Sequence, residues 1–237
     1  MNANHPLAAP VSRRRALGLL SLSGAAVAAG GLAAVPLHAA DESALPAIHT
    51  PADAMRELMA GNRRFVEGRP VGPHRNMARV REVSAGQSPF AAVLSCADSR
   101  VPPEIVFDQG FGDVFVCRAA GNIVTPELIG SLEFGTLVLG AKALVVLGHT
   151  QCGAVKATIA GQAVPGQIST LYRHIRPAVE RSATRELEDV GRHNVRVQAE
   201  LLRTSSPVIA DLVREEKLVV VGGVYDLETG RVTLLDG

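Results

Sequence analysis

The sequence predicts an α/β protein whose central sheet is mostly parallel, with about four parallel strands, one antiparallel edge strand and flanking helices. Four short runs of nearly continuous aliphatic residues recur along the chain, and such runs are typical of strands buried on both faces. Segments with helical spacing separate them, as in a parallel sheet with crossover helices. Of the 237 residues 47% are hydrophobic but only 3% are aromatic, which suits a core of small aliphatic side chains.

The first predicted element is a helix from 50 to 67. Thr50 is a suitable N-cap and Pro51 fits the first helical position. Apolar side chains then recur near helical spacing, at Met55, Leu58, Met59 and Phe65. The stretch PVGPHRNMARV at 70–80 holds too much Pro and Gly to continue the helix, and we predict a connector there.

The remaining elements follow from the alternation of aliphatic runs and helical patterns. Strands are predicted at 89–96, 113–118, 143–149 and 217–226. Helices are predicted at 126–139, 153–159, 168–181, 186–202 and 206–216. A last strand, RVTLLD at 231–236, follows the turn residues DLETG, so a hairpin with an antiparallel edge strand closes the fold.

The N-terminus reads as an export signal. Residues 1–40 combine a basic segment, an Ala/Gly/Leu stretch and a small-residue exit, with the first acidic side chain at Asp41. The pair Arg13-Arg14 with Leu17 behind it resembles a twin-arginine signal. We therefore predict export by that machinery to the periplasm or outside, a linker at 41–50, and one catalytic domain with a helical arm at 51–237. The alternative is an uncleaved leader that anchors the protein in the membrane.

Charge and cysteine content restrict the function further. Removing the leader takes three arginines from the 24 basic residues and leaves 21 against 23 acidic ones, so we expect no nucleic-acid binding. The three cysteines, Cys96, Cys117 and Cys152, are too few and too widely spaced for a disulfide framework. Cys117 lies within a strand and is predicted to be a buried, inert thiol.

The other two cysteines and one histidine form a candidate metal site. Cys96 ends the first aliphatic run and His149 ends the third, with Cys152 three residues later. In open parallel sheets, ligands bind at these carboxyl ends. Two thiolates and an imidazole suit zinc, and three protein ligands are the catalytic pattern. Asp98 and Arg100 are spaced to form an ion pair beside the site, which would keep the carboxylate ionised.

Two motifs, C-x-D-x-R at 96–100 and H-x-x-C-G at 149–153, are together similar to the β-class carbonic anhydrases. The segments GDVFVCRAAGN, GSLEFG and VGGVYDLETGRV fall in that family's order and spacing. The resemblance covers the chain from about Pro51 to the end, and it implies the family's fold and one Zn²⁺ per subunit.

The resemblance also implies roles for single residues. Cys96, His149 and Cys152 are the expected zinc ligands. Asp98, paired with Arg100, is expected to accept a hydrogen bond from the zinc-bound hydroxide that attacks carbon dioxide and yields bicarbonate and a proton. The expected substrate pocket consists of Gln87, Phe115, Phe134 and Gly153. Part of that pocket comes from a second subunit in the family, so a homodimer or a dimer of dimers is implied.

Two other functions stay open at this stage. The same zinc site could hydrolyse carbon disulfide or carbonyl sulfide. Alternatively, the protein could bind zinc without catalysis, for a structural or storage role. The Asp98 and Arg100 dyad argues against storage, because holding a metal ion requires no such pair.

Overall fold

A five-stranded sheet forms the centre of the computed structural model, which describes residues 47–236. Its strands are β1 (Ala91–Ser95), β2 (Val114–Arg118), β3 (Ala143–His149), β4 (Val219–Tyr225) and β5 (Val232–Leu235), in the order β2-β1-β3-β4-β5. Strands β1 to β4 are parallel, and β5 runs antiparallel to β4. The predicted sheet, including its antiparallel edge, is confirmed.

Eight α-helices are assigned within the described residues. They are α1 (Pro51–Val66), α2 (Met77–Glu82), α3 (Pro103–Val106), α4 (Pro126–Glu133), α5 (Gly153–Ala160), α6 (Tyr172–Arg181), α7 (Leu187–Ser205) and α8 (Pro207–Arg214). Short 3₁₀ turns at Val83–Ala85, Ala120–Asn122 and Ile168–Leu171 and a π-helical turn at Phe134–Val138 complete the assignment.

Both faces of the sheet are covered by helices. Leu58 of α1 and Phe107 after α3 pack with Val93 and Val145 in one apolar cluster. On the other face, Leu202 of α7 and Ile209 of α8 pack in a second cluster with alternate strand residues. Every residue of β1 and β3 is buried, which explains why these two strands read as continuous aliphatic runs.

The first helix begins as its sequence predicts. The Thr50 hydroxyl accepts a hydrogen bond from the Asp53 amide at 3.1 Å, and the Asp53 carboxylate accepts one from the Thr50 amide at 2.9 Å. This reciprocal capping box satisfies amides that the first turn leaves without helical partners. Pro51 stands at the first helical position.

One local prediction was wrong, and a second needs refinement. The connector predicted at 70–80 contains the start of α2, because the Asn76 side chain accepts a hydrogen bond from the Arg79 amide at 2.8 Å and caps a new helix. The helix predicted at 126–139 is helical as far as Val138, but it is α-helical only to Glu133, and Phe134–Val138 forms a wider π-helical turn. There Gly135 lies against the Phe115 ring, and a Cβ at this position would be 2.7 Å from the ring.

The predicted export signal and most of the predicted linker lie outside the described residues. Within residues 47–236, none of the helices combines the length and the apolarity that crossing a bilayer requires.

Candidate metal centre

The carboxyl ends of β1 and β3 bring the three predicted ligands together. The two strands are adjacent and parallel, with Ser95 beside Leu147, so Cys96 follows one strand while His149 ends the other. The ligand atoms of Cys96, His149 and Cys152 all lie within 4.8 Å of one another, and all three residues are buried. In the part of the chain that the structure describes, this is the one group of three such side chains close enough to hold a metal ion.

The His149 ring is oriented for ligation by its second nitrogen. Its Nδ1 lies 2.8 Å from the Thr150 carbonyl oxygen, to which it donates. Thr150 is itself fixed, because its amide donates to the Tyr225 carbonyl and its hydroxyl accepts from the Leu227 amide, both at 3.0 Å. The Nε2 atom is buried without a hydrogen-bond partner. A buried acceptor without a partner destabilises the folded protein unless another group binds it, and a metal ion would do so.

The two thiols have opposite pKa shifts. The pKa of Cys96 is lowered, first by a hydrogen bond from Cys152 and further by His149 and the Gly121 amide. The pKa of Cys152 is raised by the same contact with Cys96 and by burial. A divalent cation would stabilise both sulfurs as thiolates. The donor set of two sulfurs and one imidazole nitrogen therefore fits Zn²⁺.

Asp98 and Arg100 form the predicted ion pair at the rim of this site. Arg100 donates to both carboxylate oxygens of Asp98, from Nε at 2.9 Å and from Nη2 at 2.8 Å, and its amide adds a third bond at 3.0 Å. The guanidinium holds the pKa of Asp98 well below its usual range, so this carboxylate is an acceptor at neutral pH. Its Oδ2 lies 3.8 Å from His149 Nε2. We call these five residues, Cys96, Asp98, Arg100, His149 and Cys152, the metal corner.

The predicted substrate residues lie in three places. Gly153 begins α5 directly after Cys152. The rings of Phe115 and Phe134 have centroids 6.5 Å apart, and Phe134 is 47% exposed. Gln87 is exposed and lines a cavity with Val83 and Phe111, and none of the three metal ligands lines that cavity. A single chain therefore assembles the metal corner but does not bring Gln87 to it.

Arg118 supports the metal corner by hydrogen bonds, and the sequence patterns did not predict this role. Its Nε donates to the Cys96 carbonyl at 3.1 Å and its Nη2 to the Asp98 carbonyl at 2.6 Å. Arg118 ends β2, directly beside Ser95 of β1. Its place at the carboxyl end of a strand was the available signal, because ligand sites form there.

The comparisons with known proteins agree with this geometry. A family model described as carbonic anhydrase matches residues 91–232. Carbonic anhydrase 2 of Mycobacterium tuberculosis is 36% identical over 193 residues, which cover 78% of this chain and 93% of that protein. A β-carbonic anhydrase of Coccomyxa, solved in complex with acetazolamide, has a TM-score of 0.61 at 27% identity, over 75% of this chain and 84% of that one. A tetrameric β-carbonic anhydrase of Sordaria macrospora has a TM-score of 0.62 at 24% identity, over 67% and 86%. These matches agree with the two thiols and the imidazole that converge at the carboxyl ends of β1 and β3. The chain belongs to the β-class carbonic anhydrases.

Proposed function

We propose that the protein catalyses the reversible hydration of carbon dioxide to bicarbonate and a proton, with one Zn²⁺ per subunit held by Cys96, His149 and Cys152. The observation that carries this proposal is the placement of the ionised Asp98 carboxylate beside three buried, convergent donors. A storage site would need the donors alone. The bidentate Arg100 contact with Asp98 instead orients an acceptor toward the site.

The chain's own residues have separable tasks in this reaction. A bound zinc ion would supply the Lewis acid that makes water nucleophilic at neutral pH. Asp98 accepts a hydrogen bond from the attacking water, so that a lone pair of this water faces the substrate carbon. Arg100 keeps Asp98 ionised and fixed. The apolar rings of Phe115 and Phe134 suit carbon dioxide, which is uncharged and cannot compensate the desolvation of polar groups.

We further propose that a second copy of the chain completes the pocket. Strand β2 is at one end of the sheet order, and an edge strand offers unpaired backbone groups. Large apolar side chains in the segments 105–111 and 134–138, which precede and follow β2 in the chain, are exposed, a set that we call the edge face: Ile105, Phe111, Phe134, Leu137 and Val138. Covering this face with a partner would bring the partner's Gln87 region toward the metal corner. The solved Sordaria structures are described as tetrameric, which supports a homodimer or a dimer of dimers.

Stopped-flow carbon dioxide hydration by zinc-loaded protein tests the proposed reaction. Wild type, Asp98→Ala and Cys152→Ser are compared, with metal content measured on the same samples. We expect Asp98→Ala to retain zinc and lose about 10²- to 10⁴-fold in rate, and Cys152→Ser to lose both. Equal rates in the three proteins would refute the mechanism. Turnover of carbon disulfide or carbonyl sulfide without carbon dioxide hydration would show that one of these compounds, and not carbon dioxide, is the substrate.

For localisation, we propose export by the twin-arginine route, supported by Arg13-Arg14 and by the apolar stretch after them. Replacing both arginines by lysine keeps the charge and should retain the protein in the cytoplasm, as fractionation would show. Unchanged export would indicate a general secretion signal and not a twin-arginine signal. Full-length protein in the membrane fraction would indicate that the leader stays attached as an anchor.

A further inference from the structure

Helix α7 buries two amide side chains on its core-facing side. Asn194 and Gln198 stand four residues apart and are 0% exposed, while the helix otherwise buries apolar residues such as Val195 and Leu202. Burying a polar side chain costs free energy unless its polar atoms find partners. The partners of this pair therefore indicate what the pair is for.

The pair binds the segment that follows β2. Asn194 Nδ2 donates to the Gly121 carbonyl oxygen at 2.8 Å, and Gln198 Oε1 accepts from the Val124 amide at 2.7 Å. Gln198 Nε2 donates to Asn194 Oδ1 at 3.2 Å and to the His174 carbonyl of α6 at 2.9 Å. Each polar side-chain atom of the two residues is thus used, and both ends of the segment 121–124 are attached to α7.

Gly121 is the residue through which this attachment reaches the metal corner. Its amide donates to Cys96 Sγ at 3.2 Å. Its φ of 75° favours glycine, and a Cβ would lie 2.8 Å from the Ile175 side chain of α6 and 3.2 Å from Cβ of Ala154 in α5. The carbonyl held by Asn194 and the amide that reaches Cys96 flank the same Cα atom, so the bond to the carbonyl, together with the close packing around this Cα atom, limits how far the amide can turn.

We propose that Asn194 is a positioning residue for the metal corner: it holds Gly121 so that the Gly121 amide stays directed at Cys96 Sγ. An amide that donates to a thiolate withdraws charge from the sulfur, so the bond adjusts how strongly this ligand donates to a metal. Partners of this kind are commonly worth 10- to 100-fold in metal affinity. The inference rests on the proposed zinc site and adds a residue on a separate helix to it.

The test uses Co²⁺ in place of Zn²⁺, because thiolate-to-cobalt charge-transfer absorption reports directly on the sulfur ligands. Asn194→Leu removes the bond to Gly121 and keeps the branched arrangement of the side-chain heavy atoms. We expect its charge-transfer band to move to longer wavelength than in wild type, because the sulfur retains more charge. Competition with a chelator should show about 10-fold to 100-fold weaker zinc binding, because the backbone beside Cys96 is then no longer held in position for ligation, and this loss outweighs the stronger donation by the sulfur.

Leu202→Ala is the matched control, because Leu202 is a fully buried side chain of the same helix that packs in the cluster on the sheet. It should lower the melting temperature but keep the wild-type spectrum and zinc affinity. Asn194→Asp retains the shape of the side chain and an acceptor for Gln198. When ionised it lacks the donor to Gly121, so in alkaline buffer it should show the same red shift even where Asn194→Leu folds poorly.

A wild-type spectrum and zinc affinity in Asn194→Asp, or equal changes in Leu202→Ala, would reduce Asn194 to a structural role. Failure of wild-type protein to bind either metal would instead overturn the proposed zinc site, so the two hypotheses fail by different observations.

Discussion

The metal corner and the edge face differ in how complete one chain makes them. The three ligand residues of the metal corner are buried, and their ligand atoms lie within 4.8 Å of one another. The edge face exposes Phe134, Leu137 and Val138 to between 47% and 64%. We infer that a single chain can bind the metal, whereas catalysis requires a second copy to close the pocket.

The supports of the two regions also differ in chemistry. Groups that do not titrate in acid hold the backbone at and beside Cys96: the neutral amides of Asn194 and Gln198 and the Arg118 guanidinium. A group that does titrate holds the segment before β2, where Asp108 is fully buried and its carboxylate accepts from Arg64 Nε at 2.7 Å and Arg75 Nη2 at 3.2 Å. Phe111 of the edge face follows that segment, and its amide donates to the His74 carbonyl at 3.0 Å. Acid should therefore act first on the support of the edge face.

The largest effect is expected from breaking the metal corner itself. Cys96→Ser removes a thiolate ligand, and we expect zinc content and carbon dioxide hydration both to fall to background. Cys117→Ser is the matched control, because Cys117 is also a buried free thiol but lies within β2 and outside the ligand cluster. It should retain metal and activity. Elemental analysis measures the zinc content of both variants, and stopped-flow assays measure their hydration rates. Zinc retained by Cys96→Ser would contradict the assignment of Cys96 as a ligand.

Charging the edge face should separate assembly from metal binding. In Leu137→Glu/Val138→Glu, two carboxylates would have to be desolvated at the contact between copies, so we expect a monomer by sedimentation. This monomer should keep its zinc but hydrate carbon dioxide about 100-fold more slowly, the order of loss from disturbed substrate positioning. Ile168→Glu, another exposed apolar position, should leave assembly and rate unchanged. A fully active monomer would show that catalysis, like metal binding, does not require a second copy.

The sequence predicted the metal corner better than its surroundings for a physical reason. Cys96, His149 and Cys152 stand where aliphatic strands end, and burial of these strands determines their position. The role of Arg118 depends on the register between β1 and β2, which no local pattern encodes. Asn194 and Gln198 looked like ordinary polar positions of a helix, because only the packed structure shows that they face the segment 121–124.

Gln87 tests whether the pocket is shared between copies. Gln87→Ala should lower kcat/KM about 10-fold, the cost of about one hydrogen bond to substrate, whereas Gln167→Ala, a second glutamine exposed in a loop, should have no effect. Mixed dimers sharpen the result. A Gln87→Ala subunit provides an intact metal corner and a His149→Ala subunit provides an intact Gln87, so subunit exchange should restore one active site in each mixed dimer. No gain of activity on mixing would place Gln87 in the pocket of its own chain, or outside any pocket.

The smallest expected effect is a local loosening by acid. The pKa of Asp108 is lowered in the folded protein: burial alone would raise it, but hydrogen bonds from Arg64 and from the Val71 and Gly72 amides outweigh burial. A carboxyl whose pKa is lower folded than unfolded stabilises the fold above its unfolded pKa of about 3.9, and this stabilisation is lost as the pH falls through the folded value.

Hydrogen exchange can follow this loss at single amides. The Val71 and Gly72 amides donate to Asp108, both at 2.9 Å, whereas the Val124 amide donates to the neutral Gln198. Below about pH 4, the protection of Val71 and Gly72 should therefore fall relative to that of Val124, after correction for intrinsic exchange rates. Asp108→Asn should abolish most of this difference in pH dependence, since an amide does not titrate. Equal loss of protection at all three amides would mean that acid unfolds both regions together, and the contrast between titratable and non-titratable supports would then have no consequence for stability.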